Sequence, residues 1–441
     1  MLFRLFLSLS LTVFASASVL AETRDEKVRR DREKIEAAGF WIYNDMPKAF
    51  AEAKRTGKPI LVVLRCIPCE ECVKLDDDLV NEDPIVRPLL DKFVCARVVS
   101  TNGLDLSLFQ YDTDQSFAAF LLNADGTIYG RFGTRSHRTT WIGDVSVQGL
   151  AKALQGALDL HANYPANKSA LTAKRGPAPD VASPELYPSL KGKYTATLNY
   201  KGNVVQSCIH CHQIGDAQRA MYRQKREPIP ETVLFPYPHP KSIGLILNPK
   251  EMATIASIEN GSLAEKAGFR SGDAIRTLNG QPLLSMADVQ WVLHRTPPDG
   301  GKLTAEVLRN GLPQTVTLTL PAGWRRLDDF SWRASTWGMR RMGLGGMSLE
   351  SLPAEERPAS IPAGSMALRA KHVGQYGPHA AAKQAGVRAG DVLVSFDGKS
   401  DFTREADLIA YAVTARKPGE KVKVELLRDG KRFEVLLPMQ E

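Results

Sequence analysis

After Ala21 the chain has no apolar run long enough to span a bilayer, and its charge is nowhere gathered into a long block of one sign. Lysine and arginine outnumber aspartate and glutamate by 57 to 49, but the two signs are interspersed, as in "KVRRDREKIE" and "RQKREPIPE". That pattern is a solvated surface and argues against nucleic-acid binding. The motifs G-x-S-x-G, G-D-S-G-G and H-E-x-x-H are all missing, so neither a serine-hydrolase nucleophile nor a zinc-protease helix is legible. Cysteine is scarce: six residues in 441, namely Cys66, Cys69, Cys72, Cys95, Cys208 and Cys211. Five of them fall into two tight clusters. A disulfide framework would instead tie distant segments, where loop closure gains most. Clustering at two-residue spacing points to redox or ligation chemistry. Hydrophobic content of 43% and charge content of 24% exclude wholesale disorder, and the length calls for several domains.

What is present begins with "MLFRLFLSLSLTVFASASVLAET". One early cation, Arg4, precedes an apolar run, and Val19 and Ala21 stand at positions −3 and −1 of a signal-peptidase site. The pattern predicts a signal peptide over 1–21, cleaved before Glu22. The alternative is a retained membrane anchor, for which the apolar run is short. The mature chain is expected to be periplasmic or secreted, with no integral membrane segment.

From 22 to 160 the text reads as alternating helix and strand. "DMPKAFAEAKRTGK" is an amphipathic helix and "PILVVLR" a buried strand that runs straight into the first cysteine cluster. "VCARVVS" is a second strand, with Cys95 turned inward. "FAAFLLN" and "TIYGRFG" form a hairpin across "ADG", and "VQGLAKALQGALDLHA" is a closing helix. Residues 161–200 are rich in Pro, Ala, Ser and Lys and read as a linker. The segment 201–240 carries "SCIHCHQIG". The remainder contains an internal repeat. "AGFRSGDAIRTLNG" (Ala267 to Gly280) matches "AGVRAGDVLVSFDG" (Ala385 to Gly398), and "EVLRNG" matches "ELLRDG", at offsets of 118 and 119. The two copies span 241–321 and 337–441, joined by 322–336.

"KPILVVLRCIPCEECVKLDDDL" resembles the active-site region of the thioredoxin fold. The resemblance places Cys69 and Cys72 on the C-x-x-C motif, at the start of a helix whose N–H groups stabilise the first thiolate. It implies that Cys69 attacks and Cys72 resolves, with Cys66 as an added thiol. Two positions depart from the pattern: Pro68 replaces the usual tryptophan, and Phe117 stands near the place of the usual substrate-facing proline. Together with Cys66, Glu70 and Glu71, they leave room for a metal or peroxide-type thiol site.

The repeats resemble PDZ domains of the bacterial, HtrA-like kind, on "SLAEKAGFRSGDAIRTLNG" and "AAAKQAGVRAGDVLVSFDG". Such domains take extended or C-terminal peptides by strand addition, with the carboxylate in a nest of backbone N–H groups. The resemblance assigns Gly244, Leu245, Ile246 and Leu247 of "SIGLIL" to peptide binding in the first copy. "MGLGGMSL" (Met342 to Leu349) is the weaker counterpart in the second. In either copy the alternative is packing alone.

C-x-x-C-H supplies two thiols and an axial histidine, the requirements of covalent haem c. Cys208 and Cys211 would attach it and His212 would bind iron. The second axial candidates are His239 and Met252, with Met221 behind them or the position open. Tyr222, Leu234, Phe235 and Tyr237 are candidate walls. A simple disulfide, a zinc site using His210 or His212 and His239, and an unloaded motif remain open.

The whole arrangement resembles the Trx/PDZ domain-containing (seleno)proteins of bacteria. It implies a multidomain chain: an α/β thioredoxin-like domain, a small haem-like or linker segment, and two β-rich PDZ domains. The function expected is an exported thiol-disulfide or peroxide-type oxidoreductase, with a redox partner and peptides of exported proteins as PDZ partners. The alternative is a non-enzymatic periplasmic PDZ adaptor or redox sensor.

Overall fold

The computed structural model describes residues 22–65, 83–115, 117–134 and 145–441. The first sheet contains β1 (Ile42–Tyr43), β2 (Ile60–Leu64), β3 (Val94–Val98), β4 (Phe117–Leu122) and β5 (Ile128–Thr134). Its order is β1-β3-β2-β4-β5, with β3 parallel to both β1 and β2, and β4 antiparallel to both β2 and β5. β2 and β3 are buried at every position, which is why both read as unbroken apolar runs rather than alternating ones.

The two faces carry different cargo. One holds Ile60, Val62 and Leu64 against Ala49 and Ala53 of helix α2 (Met46–Thr56), together with Ile209, Ile214 and Ala217. The other holds Leu61, Val63 and Cys95 against α1 (Arg24–Ala38) and the Val147–Ala162 helix. The helices start and stop where local chemistry says they should. Thr23 and Glu26 form a reciprocal capping box on α1, and Gly39 ends it in the left-handed region.

The 161–200 stretch, read as a linker, is instead packed along this domain. Leu171, Tyr187 and Leu190 are buried in its two cores, and Leu106 N–H donates to Ala182 O at 2.9 Å. These apolar residues outweigh the tether-like composition around them. The 322–336 connection is likewise buried at Trp324, Arg325, Phe330 and Arg333.

The first repeat holds a two-stranded ladder of β6 (Leu245–Leu247) and β7 (Ile255–Ile258). Beside it is a four-stranded sheet, β11-β10-β8-β9, from β8 (Ala274–Leu278), β9 (Gln281–Pro282), β10 (Gly301–Arg309) and β11 (Leu312–Leu320). The second repeat runs in the order β12 (Met347–Ser351), β13 (Leu368–Val373), β14 (Val392–Phe396), β15 (Lys421–Arg428) and β16 (Lys431–Pro438). The repeated letters have a physical reason. The aspartate of each Gly-Asp pair accepts from the arginine of the distant L-R-x-G hairpin: Asp273 from Arg309 at 2.8 Å and Asp391 from Arg428 at 2.7 Å. Each aspartate also accepts a local backbone N–H, from Arg270 and Arg388. The hairpins turn at Asn310-Gly311 and Asp429-Gly430, with positive φ at both positions, as a type I′ turn needs. No helix among the described residues is long and apolar enough to cross a membrane.

Candidate functional site

The residues expected to do thiol chemistry, Cys66, Cys69 and Cys72, lie outside the described residues, as does the expected signal segment 1–21. Arg65 is the last described residue before these cysteines, where the chain leaves the central strand β2. Arg65 N–H donates to Val98 O at 3.0 Å, so β2 and β3 end together. Its guanidinium lies 2.9 Å from Asp31 of α1, and the arginine side chain is 1% exposed. Tyr43 OH donates to the same Asp31 at 3.3 Å. Burial first, then neighbouring Tyr200 and Asp31, pushes the Tyr43 phenol far up, so it stays a donor. Phe117, near the place of the usual proline, opens β4 and is fully buried.

The C-x-x-C-H segment is clamped to the same end of the sheet. Ile209, between the two cysteines, is fully buried, and its carbonyl accepts from Thr101 N–H at 3.3 Å and Thr101 Oγ1 at 2.8 Å. Asn102 does more. Its Oδ1 accepts from Ile209 N–H at 2.8 Å, and its Nδ2 donates to Thr195 O at 2.7 Å and Ser207 O at 3.0 Å. Thr101 and Asn102 follow β3, so both parallel strands point toward this corner. From the sequence, the Asn-Gly pair at 102–103 announces only a turn, and nothing in it reveals the clamp.

Cys208 is 4% exposed, and Cys211 opens the Cys211–Gln224 helix and packs against the sheet core. His210 caps that helix and donates its N–H to Gln213 Oε1 at 2.8 Å. The His210 and His212 rings stack, with centroids 5.8 Å apart. Burial, then His212 and Arg24, lowers the His210 pKa. His212 is half-exposed, with Nδ1 3.4 Å from Asp216 Oδ2.

The second axial candidates are not brought to this motif. Met252 packs with Gly156 and Leu284 on the opposite face of the sheet from Ile209 and Ile214. Its position in the sequence says nothing about sheet face. His239 is held at the entry to the first PDZ copy, where its N–H donates to Asp328 at 3.4 Å and its Nδ1 accepts from Lys241 at 3.1 Å. Met221 is on the same helix as His212, about 13 Å along the axis, and cannot face it across a ring. Among the described residues the motif thus has one axial candidate, His212, beside an enclosed thiol at Cys208, and none of His239, Met252 and Met221 is placed across from it. Among the described residues no group of three or more His, Cys, Asp or Glu is placed to hold a metal ion.

The Cys211–Gln224 helix reaches from the thiol corner to the second PDZ copy. Its first half buries Ile214 and Ala217 in the thioredoxin-like core, and Ala220 and Tyr222 pack against the core of the second repeat. At its end Arg223 donates to Val413 O at 3.3 Å and Gln440 O at 2.7 Å.

In the first PDZ copy, Gly244 has φ of +86°, and a Cβ there would meet Ser262 Cβ at 2.2 Å, so the loop requires glycine. Leu245 is buried, and Ile246 and Leu247 are half-buried. β6 is paired with β7 alone, leaving its other edge outside any sheet among the described residues.

Comparison with known proteins agrees with this division. A thioredoxin-like family model matches residues 41–124, and a PDZ domain model matches 242–320 and 373–438. The chain thus carries a thioredoxin-like domain followed by two PDZ domains. It is 27% identical over 192 residues to a "Probable periplasmic serine endoprotease DegP-like" of Pseudomonas savastanoi pv. phaseolicola, covering 43% of this chain and 38% of that one. Identity to the protein of the same description in Pseudomonas fluorescens is 28% over 190 residues, with the same coverage. The "Periplasmic pH-dependent serine endoprotease DegQ" of Escherichia coli is 41% identical over 68 residues, 15% of each chain. The chain spans 38% of the length of the first two relatives.

Proposed function

We propose that this chain is an exported thiol-redox protein, whose thioredoxin-like domain carries the chemistry and whose PDZ pair recruits extended peptide segments of its partners. The observation that carries the reading is the position of Arg65. The central strand of a thioredoxin-ordered sheet ends there, held by Val98 and Asp31, immediately before C-I-P-C-E-E-C in the sequence.

The Cys69 thiolate attacks a substrate disulfide sulfur and forms a mixed disulfide, releasing one substrate thiolate. The Cys72 thiolate, or Cys66 in its place, then attacks Cys69. It forms the protein disulfide and releases the second substrate thiolate. An external dithiol donor supplies the two electrons that reset the site. With a peroxide as oxidant, Cys69 passes through a sulfenate that the same thiols resolve. The periplasm as the working compartment is supported by the 1–21 sequence and by the printed names of the relatives. Covalent haem at Cys208, Cys211 and His212 has only the motif in its favour, and no step is assigned to it.

A second reading, a redox sensor without turnover, has one observation in its favour: the helix that begins at Cys211 ends on the second PDZ domain through Arg223.

Turnover separates the two. Purified protein should reduce insulin disulfides or consume peroxide with a dithiol donor, and Cys69→Ser should lose that activity at least tenfold. Absence of turnover in the wild type, with peptide binding intact, would favour the sensor. Full activity in Cys69→Ser would overturn the nucleophile assignment. A pyridine haemochrome assay on protein made with cytochrome c maturation factors decides the haem. An added mass of one haem, lost in Cys208→Ala/Cys211→Ala, would establish it, and no added mass would rule it out.

A further inference from the structure

In the second PDZ domain β12 is an edge strand: β13 covers one side only. The open side is where a PDZ domain receives a peptide strand. Here it is already engaged. Leu349 pairs with Ala370 across the ladder, and its N–H donates the other way, to Glu405 Oε1 at 2.7 Å. Glu405 begins the Glu405–Ala415 helix that borders the groove. A carboxylate therefore occupies the place of the carbonyl that an added strand would present to Leu349.

That carboxylate is held from above. Arg340, on the Thr336–Leu344 helix, donates from Nε to Glu405 Oε1 at 2.9 Å and from Nη2 to Oε2 at 2.6 Å. The fork is charge-assisted, and the glutamate side chain is 4% exposed. Met339, Met342 and Leu344 of the same helix are buried with Leu349, Ile409 and Val413. A Cβ on Gly343 would come within 2.8 Å of Ala412 Cβ and 3.3 Å of Val413, so the two helices touch backbone to side chain. The glycine loop is engaged as well, because Gly346 N–H donates to Arg340 O at 2.9 Å.

The covering helix is anchored outside the PDZ domain. Just before it, Ser335 donates from N–H and Oγ to Asp114 at 2.9 and 2.7 Å. Asp114 lies in the thioredoxin-like domain, three residues before Phe117. The first PDZ copy has no such latch. With Ala287-Asp288 matched to Ala406-Asp407, Met286 stands where Glu405 does, and a thioether cannot replace a carboxylate.

We propose that the groove of the second PDZ domain is closed by the chain's own Thr336–Leu344 helix, latched through Arg340 to Glu405, and takes an extended peptide only when that helix is displaced. The inference rests on the peptide-recruiting reading of the PDZ pair and adds that the two grooves differ: the second is gated from the thioredoxin-like domain.

The test uses the full chain and two independent openings. Arg340→Ala removes the latch, and Gly343→Leu wedges the helices apart. Amide exchange over 347–351 reports opening. Fluorescence anisotropy with a labelled pool of decapeptides, with free carboxyl termini and randomised last four positions, reports binding. Both variants should exchange at least tenfold faster over 347–351 and bind the pool with a second saturable phase absent from the wild type. Glu405→Gln, which keeps an acceptor for Leu349 but loses the ion pair, should lie between. It serves if either opening variant fails to give a native circular dichroism spectrum. Unchanged exchange in the folded variants would overturn the latch. So would faster exchange with no added binding while the wild type still binds, because the helix would then be a fixed part of the core. If neither the wild type nor any variant binds the pool, the peptide-recruiting reading itself falls, and this proposal with it.

Discussion

Lys174 Nζ lies 2.9 Å from Asp288 Oδ1, and both side chains are about 1% exposed. Lys174 comes from the segment after the thioredoxin-like domain, and Asp288 from the Met286–Arg295 helix of the first PDZ domain. Asp288 also accepts from Arg131 N–H at 3.2 Å and Leu284 N–H at 2.9 Å. Burial lowers the Lys174 pKa, and Asp288 opposes that shift, keeping the charge affordable only as a pair. Asp288→Ala should therefore cost about 3–5 kcal/mol, because it strands a buried ammonium. Urea unfolding would show this, and a loss below about 1 kcal/mol would mean that water reaches the site.

Cys95 points into the core beneath α1 and the Val147–Ala162 helix, with Sγ 3.5 Å from Leu90 O. Burial pushes its thiol up to about 12. Near pH 8 only about one molecule in ten thousand would carry a thiolate there. Iodoacetamide should leave Cys95 unmodified in the native protein and label it fully in guanidinium. Peptide mass spectrometry reads both states, and native labelling of Cys95 would show that the core opens.

Stability should fall on mild acidification. His294 stacks on Tyr237 with ring centroids 4.0 Å apart, and burial, then Arg325 and Arg295, hold its pKa well below 6.5. His210 is lowered in the same sense by burial, His212 and Arg24. Both rings take up their protons at lower pH in the fold than in the unfolded chain, whose imidazoles protonate around 6.5. Their contribution is fully present above that value and is lost progressively as pH falls beneath it. The urea midpoint should hold steady from about pH 8 to 7 and drop toward about pH 5. His294→Gln, which keeps an acceptor for Tyr237 N–H, should flatten the drop.

Much of this architecture was legible. β2 and β3 are read from their apolar runs, and the repeat is read from Gly-Asp and L-R-x-G, which the structure joins as Asp273–Arg309 and Asp391–Arg428. What stayed hidden depends on groups far apart in sequence. Tyr187 and Leu190 follow no helix or strand period, so composition alone made 161–200 a tether. Arg340 and Glu405 are ordinary surface letters until folding buries them together. Ligand chemistry marks His239 and Met252 as candidates, but it does not specify where folding carries each of them relative to the motif.

The clamp at Asn102 yields the last prediction. One side chain accepts from Ile209 N–H and donates to Thr195 O and Ser207 O, so it ties down both the cysteine segment and the stretch at Thr195. Ile209 is fully buried and Cys208 nearly so, so water does not readily replace the partner that Ile209 N–H loses, whereas the Thr195 carbonyl lies at the exposed surface. Asn102→Ala should cost about 1–3 kcal/mol, mostly from the unsatisfied Ile209 N–H. Asn102→Asp keeps the acceptor but loses the donors, so it should retain the Ile209 bond and release Thr195 and Ser207. Amide exchange over 205–211 distinguishes them. It should rise sharply in Asn102→Ala and less in Asn102→Asp, with the Glu405–Ala415 helix unchanged in both. Equal protection in all three proteins would mean that Thr101 and the burial of Ile209 hold the cysteine segment without Asn102.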